Sequence, residues 1–306
     1  MDVFLLLEQA LNGLQLGVML FLMAAGLTLV FGIMDMINLA HGSFYMIGAY
    51  LTATFTNLFG NFFLALLVAV PLAAMVGLVV EAVALRTLYR RDHLDQVLAT
   101  FGLILFFNEL VSLIWGPVPI FLSPPDILSG TVEIVPGAAY PAFRLAIIAV
   151  GLAVALFLWF LIRRTRVGML IRAGASNREM ATALGVDIRL LFTLVFALGA
   201  GLAALAGAMA GPVLAVQVGM GEQILILTFV VIVIGGLGSV RGAFVGALLV
   251  GFVDTFARVL LPGLFGLAMT RSAADAAGAS VASMSIYILM AIVLSFRPRG
   301  LFPAHG

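Results

Sequence analysis

Few residue types are available to do chemistry in this chain. Its 306 residues include no cysteine and no lysine, every one of the fifteen basic residues being arginine, and only three histidines, His41, His93 and His305. Without cysteine there is no thiol nucleophile, no disulfide and no thiolate metal site. No histidine stands at ligand spacing from another histidine or from a carboxylate on one helix, so neither a metal nor any other cofactor is expected. Without lysine the Gly-Lys-Ser/Thr phosphate loop cannot be written, and any ATP chemistry must belong to another polypeptide. A serine nucleophile fares no better. The string Gly238-Ser239-Val240-Arg241-Gly242 departs by one position from the Gly-x-Ser-x-Gly elbow and has no base beside it. An enzyme is not expected.

What remains are residues whose spacing suits docking or passage. Ser176 followed by Glu179 has the spacing of a capping box, in which each side chain accepts from a main-chain N–H of the first helical turn. A helix starting there ends by Leu184, because Gly185 is a natural left-handed stop and Asp187 opens the next turn. Such a two-turn helix sets Met180, Ala181, Ala183 and Leu184 beside Arg178 and Glu179 and is too short to stand alone. It must lie either on its own bundle or on a partner. Two stretches interrupt apolar runs. Asp35 to Gly42, with Asn38 and His41, is either a tight turn or a helix broken inside a bilayer, and irregular backbone at depth survives only against protein or a wet cavity. Gly235 to Ala243, with Gly236, Gly238 and Ser239, cannot continue a regular helix cheaply, each glycine costing about 1 kcal/mol against alanine. Asn38, His41, Gly42, Gly236, Gly238 and Ser239 are therefore the candidates for lining a path. Asp254 and Arg258, four apart, are expected to pair.

The elements that must position these residues are set by composition. With 64% hydrophobic and 9% charged residues, against about 25% charged in soluble domains, the chain is expected to be an all-α polytopic membrane protein. A net charge of +1 without a continuous basic face gives no reason to expect nucleic acid. The amino terminus carries Asp2 and Glu8 and no basic region, so the first apolar run is kept as a span and begins outside. Spans are expected over residues 9–34, from about 43 to 57–61, 62–80, 98–115, 145–162, from 190, 224–234, from 244, and 283–296. That makes about nine, in a range of eight to ten, some with Gly-rich breaks. Residues 116–141 and 262–280 read as outer loops. Residues 163–189 hold six of the fifteen arginines and are assigned to the cytoplasm, as is the tail from Arg297 to Pro303. One domain, 1–306, contains all of this. Gly199, Ala203, Gly207 and Gly211, each four apart, form a small-residue stripe that lets another helix approach. Leu27–Val30 and His41–Phe44 can be laid on Leu227–Val230 and Arg241–Phe244 at a constant offset, which is either an internal repeat or chance in so apolar a chain.

A self-powered, ion-coupled carrier of small solutes is the rival function. It needs titratable groups in the spans, and the candidates Glu81, Glu109 and Asp254 are placed near helix ends.

Four separated motifs then add what spacing does not. They are Ile37-Asn38-Leu39-Ala40-His41-Gly42 with Met46 to Tyr50, the loop Arg172 to Gly185, the string Gly235 to Gly242, and Pro298-Arg299-Gly300-Leu301-Phe302. In this order, from about Asn12 to Phe302, they resemble the permeases of branched-chain amino acid ABC importers, and among them the shorter permease of the high-affinity system. The resemblance implies a multi-pass subunit of the bacterial inner membrane, with a periplasmic N-terminus and a cytoplasmic C-terminus. It implies as partners a second homologous permease, two cytoplasmic ABC ATPases and a periplasmic binding protein. The segment carrying Ser176, Arg178, Glu179, Met180, Leu184 and Gly185 then corresponds to the coupling element that docks on an ATPase. The same family takes in permeases for urea, amides and other small solutes, the binding protein doing most of the selecting.

Overall fold

The first apolar run forms one unbroken helix, α1 (Val3–Met34), of 32 residues, which at 1.5 Å per residue is about 48 Å long. In the computed structural model, which describes residues 3–135 and 138–302, this helix is buried on nearly all sides and the rest of the chain is arranged about it. Asp2, Pro303 and His305 lie outside the described residues. Next come α2 (His41–Phe59), α3 (Phe62–Val83), a 3-10 turn over Leu85–Arg90 and α4 (His93–Trp115). A two-stranded antiparallel hairpin, β1 (Thr131–Val135) and β2 (Ala138–Pro141), precedes α5 (Ala142–Arg164). Two short helices, α6 (Arg166–Ser176) and α7 (Arg178–Ala183), lead to α8 (Ile188–Ala210), α9 (Met220–Gly235), α10 (Val240–Phe265) and α11 (Arg271–Phe296).

Seven of these, α1, α3, α4, α5, α8, α10 and α11, are long and apolar enough to cross a membrane. α9 is a shorter apolar helix and α2 a largely buried one, and together these make an all-α polytopic membrane fold among the described residues. Outward faces of α3, α4, α5 and α11 carry large exposed apolar side chains such as Leu67, Leu105, Leu156 and Ile292. Lipid is the solvent that suits them.

Helices in lipid gain little from hydrophobic association and depend on close packing. Small residues supply it here. Gly13 and Gly17 of α1 face Gly251 and Leu248 of antiparallel α10, and Phe21 meets Phe244 edge-on, ring centroids 5.1 Å apart. Along the α8 stripe, Gly199 lies against Gly26 of α1, Gly207 against the Tyr45 main chain of α2, and Ala203 is buried. The stripe does what its spacing suggests.

The bundle has two distinct ends. At one, Arg144 Nη1 and the Tyr140 hydroxyl both donate to Asn12 Oδ1, at 2.8 and 2.9 Å, tying the hairpin and α5 to the start of α1. At the other lie α6 and α7, where Gly174 approaches Ile33 and Leu191, together with the tail, where Leu301 and Phe302 donate N–H groups to the Ile234 and Gly235 carbonyls at 2.9 Å. The expected pair of Asp254 and Arg258 is present as two 2.9 Å hydrogen bonds.

One expectation fails plainly. Residues 262–280 are not an outer loop: α10 runs through Pro262 to Phe265, α11 starts at Arg271, and only 266–270 connect them. The segment is poor in large apolar residues but rich in alanine, the best helix former, and its small side chains let Gly278 lie directly on Pro262. The laid-over strings also part company. His41 is buried inside the bundle, whereas Arg241 sits exposed just after the turn between α9 and α10.

Candidate functional site

After Met34 the chain leaves the helix at Asp35, whose φ of +52° is the only positive value at a non-glycine residue among those described. It then turns back into the bundle rather than away from it. The first residue of α2, His41, lies against Gly26 through its Nε2. Gly26 is eight residues back along α1, about 12 Å from its end. The start of α2 therefore packs back inside the bundle alongside α1 rather than beyond its end.

Here the polar residues are poorly satisfied. Asn38 is fully buried and neither its side-chain amide nitrogen nor its oxygen has a hydrogen-bond partner among the described residues; the same holds for His41 Nε2 and the Thr28 hydroxyl. Each such orphan costs about 1–3 kcal/mol, so a run of them inside an apolar bundle is not a packing preference. No side chain caps the start of α2.

A second interruption matches the first. Between α8 and α9 the chain returns through residues 211–219, pairing Val216 with Ile120 in an isolated bridge, and α9 starts at Met220 against the start of α2. Gly42 and Gly221 face each other so closely that a Cβ on either would overlap the other's carbonyl. Beside them, Asn108 Nδ2 of α4 donates to Glu222 Oε1 at 2.5 Å. Leu39, Ser43, Met46 and Ile104 complete a narrow cleft around this contact.

The sequence does not announce this second break. It reads the span after the basic loop as leading directly into 224–234 and leaves Gly221 and Glu222 out of the candidates. The signal was there in Gly211-Pro212 followed by Gln217, Gly219, Gly221 and Glu222, a proline, glycines and polar groups inside an apolar run.

Of the six path candidates, Asn38, His41 and Gly42 gather at this meeting of helix starts. Gly236, Gly238 and Ser239 do not. They form the turn between α9 and α10, with φ of +106° and +78° at the two glycines, and Ser239 caps α10 by accepting from Gly242 N at 3.1 Å. That turn lies fifteen residues along α9 from Gly221, about 22 Å away. It is packed against Gly32 and clasped by Arg299 and Phe302 of the tail.

The coupling candidates lie together. Ser176 is not the cap; it ends α6, and Asn177 caps α7 instead, extended at φ −154° with its side chain accepting from Met180 N at 2.8 Å. Asn and Ser are near-equal caps, and the choice falls one residue later because α6, capped at Thr165, keeps its helical bonds through Asn177 N to Ala173 O. Glu179 sits in the first turn, where an acid suits the helix dipole. At the other end Gly185 takes φ +85°, and the N–H groups of Val186 and Gly185 bond to the Ala181 and Thr182 carbonyls, closing a Schellman stop. Asp187 then caps α8 from Arg189 N and Leu190 N, at 3.0 and 3.1 Å.

Within this doubly closed turn Ala181 faces inward and is 3% exposed, while Met180 and Leu184 are 58% and 77% exposed. Arg178 is turned back onto the bundle, its guanidinium 5.7 Å from the Phe192 ring centroid. Behind α7, buried Glu81 of α3 accepts from Arg86, the Tyr89 hydroxyl and Thr193 of α8. Burial and that hydrogen bond together raise the Tyr89 phenol above its ordinary range.

Comparison with known proteins accords with this geometry. The family profile described as branched-chain amino acid transport system / permease component matches residues 9–294. The high-affinity branched-chain amino acid transport system permease protein BraD of Pseudomonas aeruginosa is 30% identical over 314 residues, covering 98% of this chain and 96% of its own. LivH of Escherichia coli, described in the same terms, is 31% identical over 277 residues, 83% of this chain and 87% of its own. A probable branched-chain amino acid transport permease protein of Methanocaldococcus jannaschii is 28% identical over 261 residues, 81% of this chain and 80% of its own. No solved structure gives a significant match to the chain.

Proposed function

The chain belongs to the permease-component family of branched-chain amino acid transport systems, and on that premise we propose how its parts serve transport. It is a membrane-spanning permease subunit of an ABC importer for branched-chain amino acids or related small amino-acid-like solutes. Its partners on this reading are a second homologous permease, two cytoplasmic ABC ATPases and a periplasmic binding protein that delivers the solute. The hairpin end with the N-terminus faces the periplasm of a bacterial inner membrane. The end with α6, α7 and the tail faces the cytoplasm, which the clustering of arginines over residues 163–189 supports.

One observation carries the coupling role. Met180 and Leu184, four apart on a helix fixed at both ends, present apolar side chains that their own bundle leaves uncovered. That is the arrangement by which a short helix anchors in a groove of a partner. Solute passes near Asn38, His41 and Gly42, where α2 and α9 begin inside the bundle; the unpartnered polar atoms of Asn38 and His41 support this. Broken helices with starts at depth are a recurring way to place main-chain polarity along a transport route.

The test is autonomy. Reconstituted alone in liposomes, the chain should accumulate no leucine under an imposed pH or sodium gradient; with all its partners, uptake should require ATP on the ATPase side. Gradient-driven accumulation by the lone chain would overturn the assignment in favour of a self-powered carrier.

A further inference from the structure

A cavity of about 370 Å³ lies where the 3-10 turn after α3 meets the first turns of α4, lined by Thr87, Leu88, Arg91, Asp95, Leu98 and Ala99. Buried Gln96 ties its two walls together, its Nε2 donating to the Leu88 and Arg91 carbonyls at 3.3 and 3.1 Å. The cavity is built into the fold rather than left by a loose turn.

Its charges set it apart. Arg91 and Asp95 stand four apart in sequence, as Asp254 and Arg258 do, yet the second pair makes two hydrogen bonds with each other and the first makes none. Among the described residues neither the Arg91 guanidinium nor the Asp95 carboxylate has an ion-pair partner, and both are exposed. Arg86 is taken up by Glu81, and Asp92 and His93 continue the exposed polar rim. The Thr87 hydroxyl donates to the Ala84 carbonyl at 3.0 Å, which leaves its oxygen free to accept. The lining thus offers one positive charge, one negative charge and a hydroxyl oxygen over the apolar Leu88, Leu98 and Ala99.

The level of the cavity follows from its neighbours. Val79 and Val83 at the end of α3, and Leu94, Leu98 and Phe101 on α4, are exposed and apolar, whereas Arg86, Arg91, Asp92 and His93 beside them are exposed and polar. Leu98 is five residues past the start of α4, about 8 Å along it. The cavity opens where hydrocarbon gives way to headgroups. A purely anionic headgroup would meet Asp95 as well as Arg91; one that carries both signs meets its complement.

We propose that this cavity seats the headgroup of phosphatidylethanolamine from the surrounding bilayer. Arg91 holds the phosphate, Asp95 and the Thr87 oxygen accept from the ammonium, and the acyl chains run along Leu98. A guanidinium matches phosphate oxygens with two parallel N–H groups, and a primary ammonium has three N–H groups to give. A choline headgroup, fully methylated, has none. The site goes beyond the transport reading, which enters only in assigning the lipid to the cytoplasmic leaflet.

The experiment uses the full chain purified in detergent, with phosphatidylethanolamine, phosphatidylcholine and phosphatidylglycerol of identical acyl chains offered at equal concentration and retention read by native mass spectrometry. Wild type should retain the ethanolamine lipid at least tenfold over either of the others. Asp95→Asn should erase the preference over phosphatidylglycerol, because the phosphate site remains and the repelling carboxylate is gone. Arg91→Gln should lower ethanolamine-lipid retention at least fivefold, and Arg271→Gln, at the exposed start of α11, should change nothing. Equal retention of the three lipids by wild type overturns the site, as does a wild-type preference for phosphatidylglycerol or an Asp95→Asn chain that keeps the ethanolamine preference. Release of the bound lipid on adding the ATPases assigns the cavity to a protein contact and overturns it too. Nothing is transported in this assay, so ATP-dependent uptake by a complete importer that retains no lipid leaves the permease reading intact, and retention without uptake counts against that reading alone.

Discussion

The Thr193 hydroxyl donates to the Glu81 carboxylate at 2.7 Å, joining the end of α3 to the second turn of α8. Glu81 is fully buried and also accepts from Tyr89 Oη at 2.6 Å and Arg86 Nη2 at 3.1 Å. From sequence it ranks as an acid near a helix end satisfied by a neighbouring arginine, and that is what it is. The Thr193 bond gives it a second role, because α8 begins immediately after the α7 stop.

Glu81→Ala removes the acceptor of the half-buried Tyr89 hydroxyl and of Arg86, leaving Thr193 only its bond to the Arg189 carbonyl. Loss of the shared acceptor is expected to destabilise the permease by about 3 kcal/mol, whereas Tyr89→Phe, which removes one donor, should cost about 1 kcal/mol. Thermal unfolding in detergent, followed by tryptophan fluorescence, should rank the variants in that order.

Leu184→Asp and Met180→Asp act on exposed side chains and should leave insertion and thermal stability within about 0.5 kcal/mol of wild type. Co-purification of the ATPases should be lost in both. Arg178→Glu is expected to do the same by another route, since it removes the contact that holds α7 to the Phe192 ring. Full ATPase recovery with the two aspartate variants would remove α7 from the docking surface.

Replacing the cap, Asn177→Ala should cost about 1 kcal/mol of helix stability. The effect should appear as a raised ATPase concentration for half-maximal assembly, with unchanged maximal uptake. Asn177→Ser should restore wild-type behaviour, because a serine oxygen can accept from the same Met180 N–H.

The absence of native cysteine makes accessibility easy to read. Single cysteines at 38 and 41 should react with impermeant thiol reagents in a manner that depends on ATP, whereas those at 237 and 239 should react only from the tail side and independently of ATP. Identical behaviour of the two groups would show that the 22 Å separation along α9, estimated from helical rise at about that value, has no functional meaning.

Gly207→Val introduces a Cβ that overlaps the Tyr45 carbonyl oxygen. Since backbone rather than a flexible side chain must give way, a loss of about 3 kcal/mol is expected, read as a lower yield of monodisperse protein. Gly102→Ala, where nothing lies within 4 Å, serves as the neutral comparison.

Most of the helical framework is legible in the sequence because lipid imposes a single strong rule: apolar runs of sufficient length become helices. The α7 stop at Gly185 and the Asp187 cap are equally legible, being local chemistry. Two features escape that rule. The Ala-rich start of α11 has the backbone propensity of a helix without the hydropathy of a span, so hydropathy alone reads it as loop. The break at 211–219 is short and flanked by apolar residues, and its meaning depends on Gly42, nearly 180 positions earlier in the chain. Depth was the other hidden variable. The motif around Asn38 and His41 stands out by residue type, but only the fold shows that it turns inward.

The tail clasp has a consequence for how the molecule is made. The Ile234 and Gly235 carbonyls at the end of α9 receive their N–H partners from Leu301 and Phe302, which are synthesised only after α10 and α11. Until then the Ile234 and Gly235 carbonyls at the end of α9 lack these N–H partners, although the hairpin with α10 already has its Gly235–Gly242 contact and the Ser239 turn bonds. During biogenesis the membrane insertase must therefore tolerate an unfinished hairpin until the tail is made, and a ribosome stalled within α11 would leave a nascent chain whose α9 end lacks its clasp.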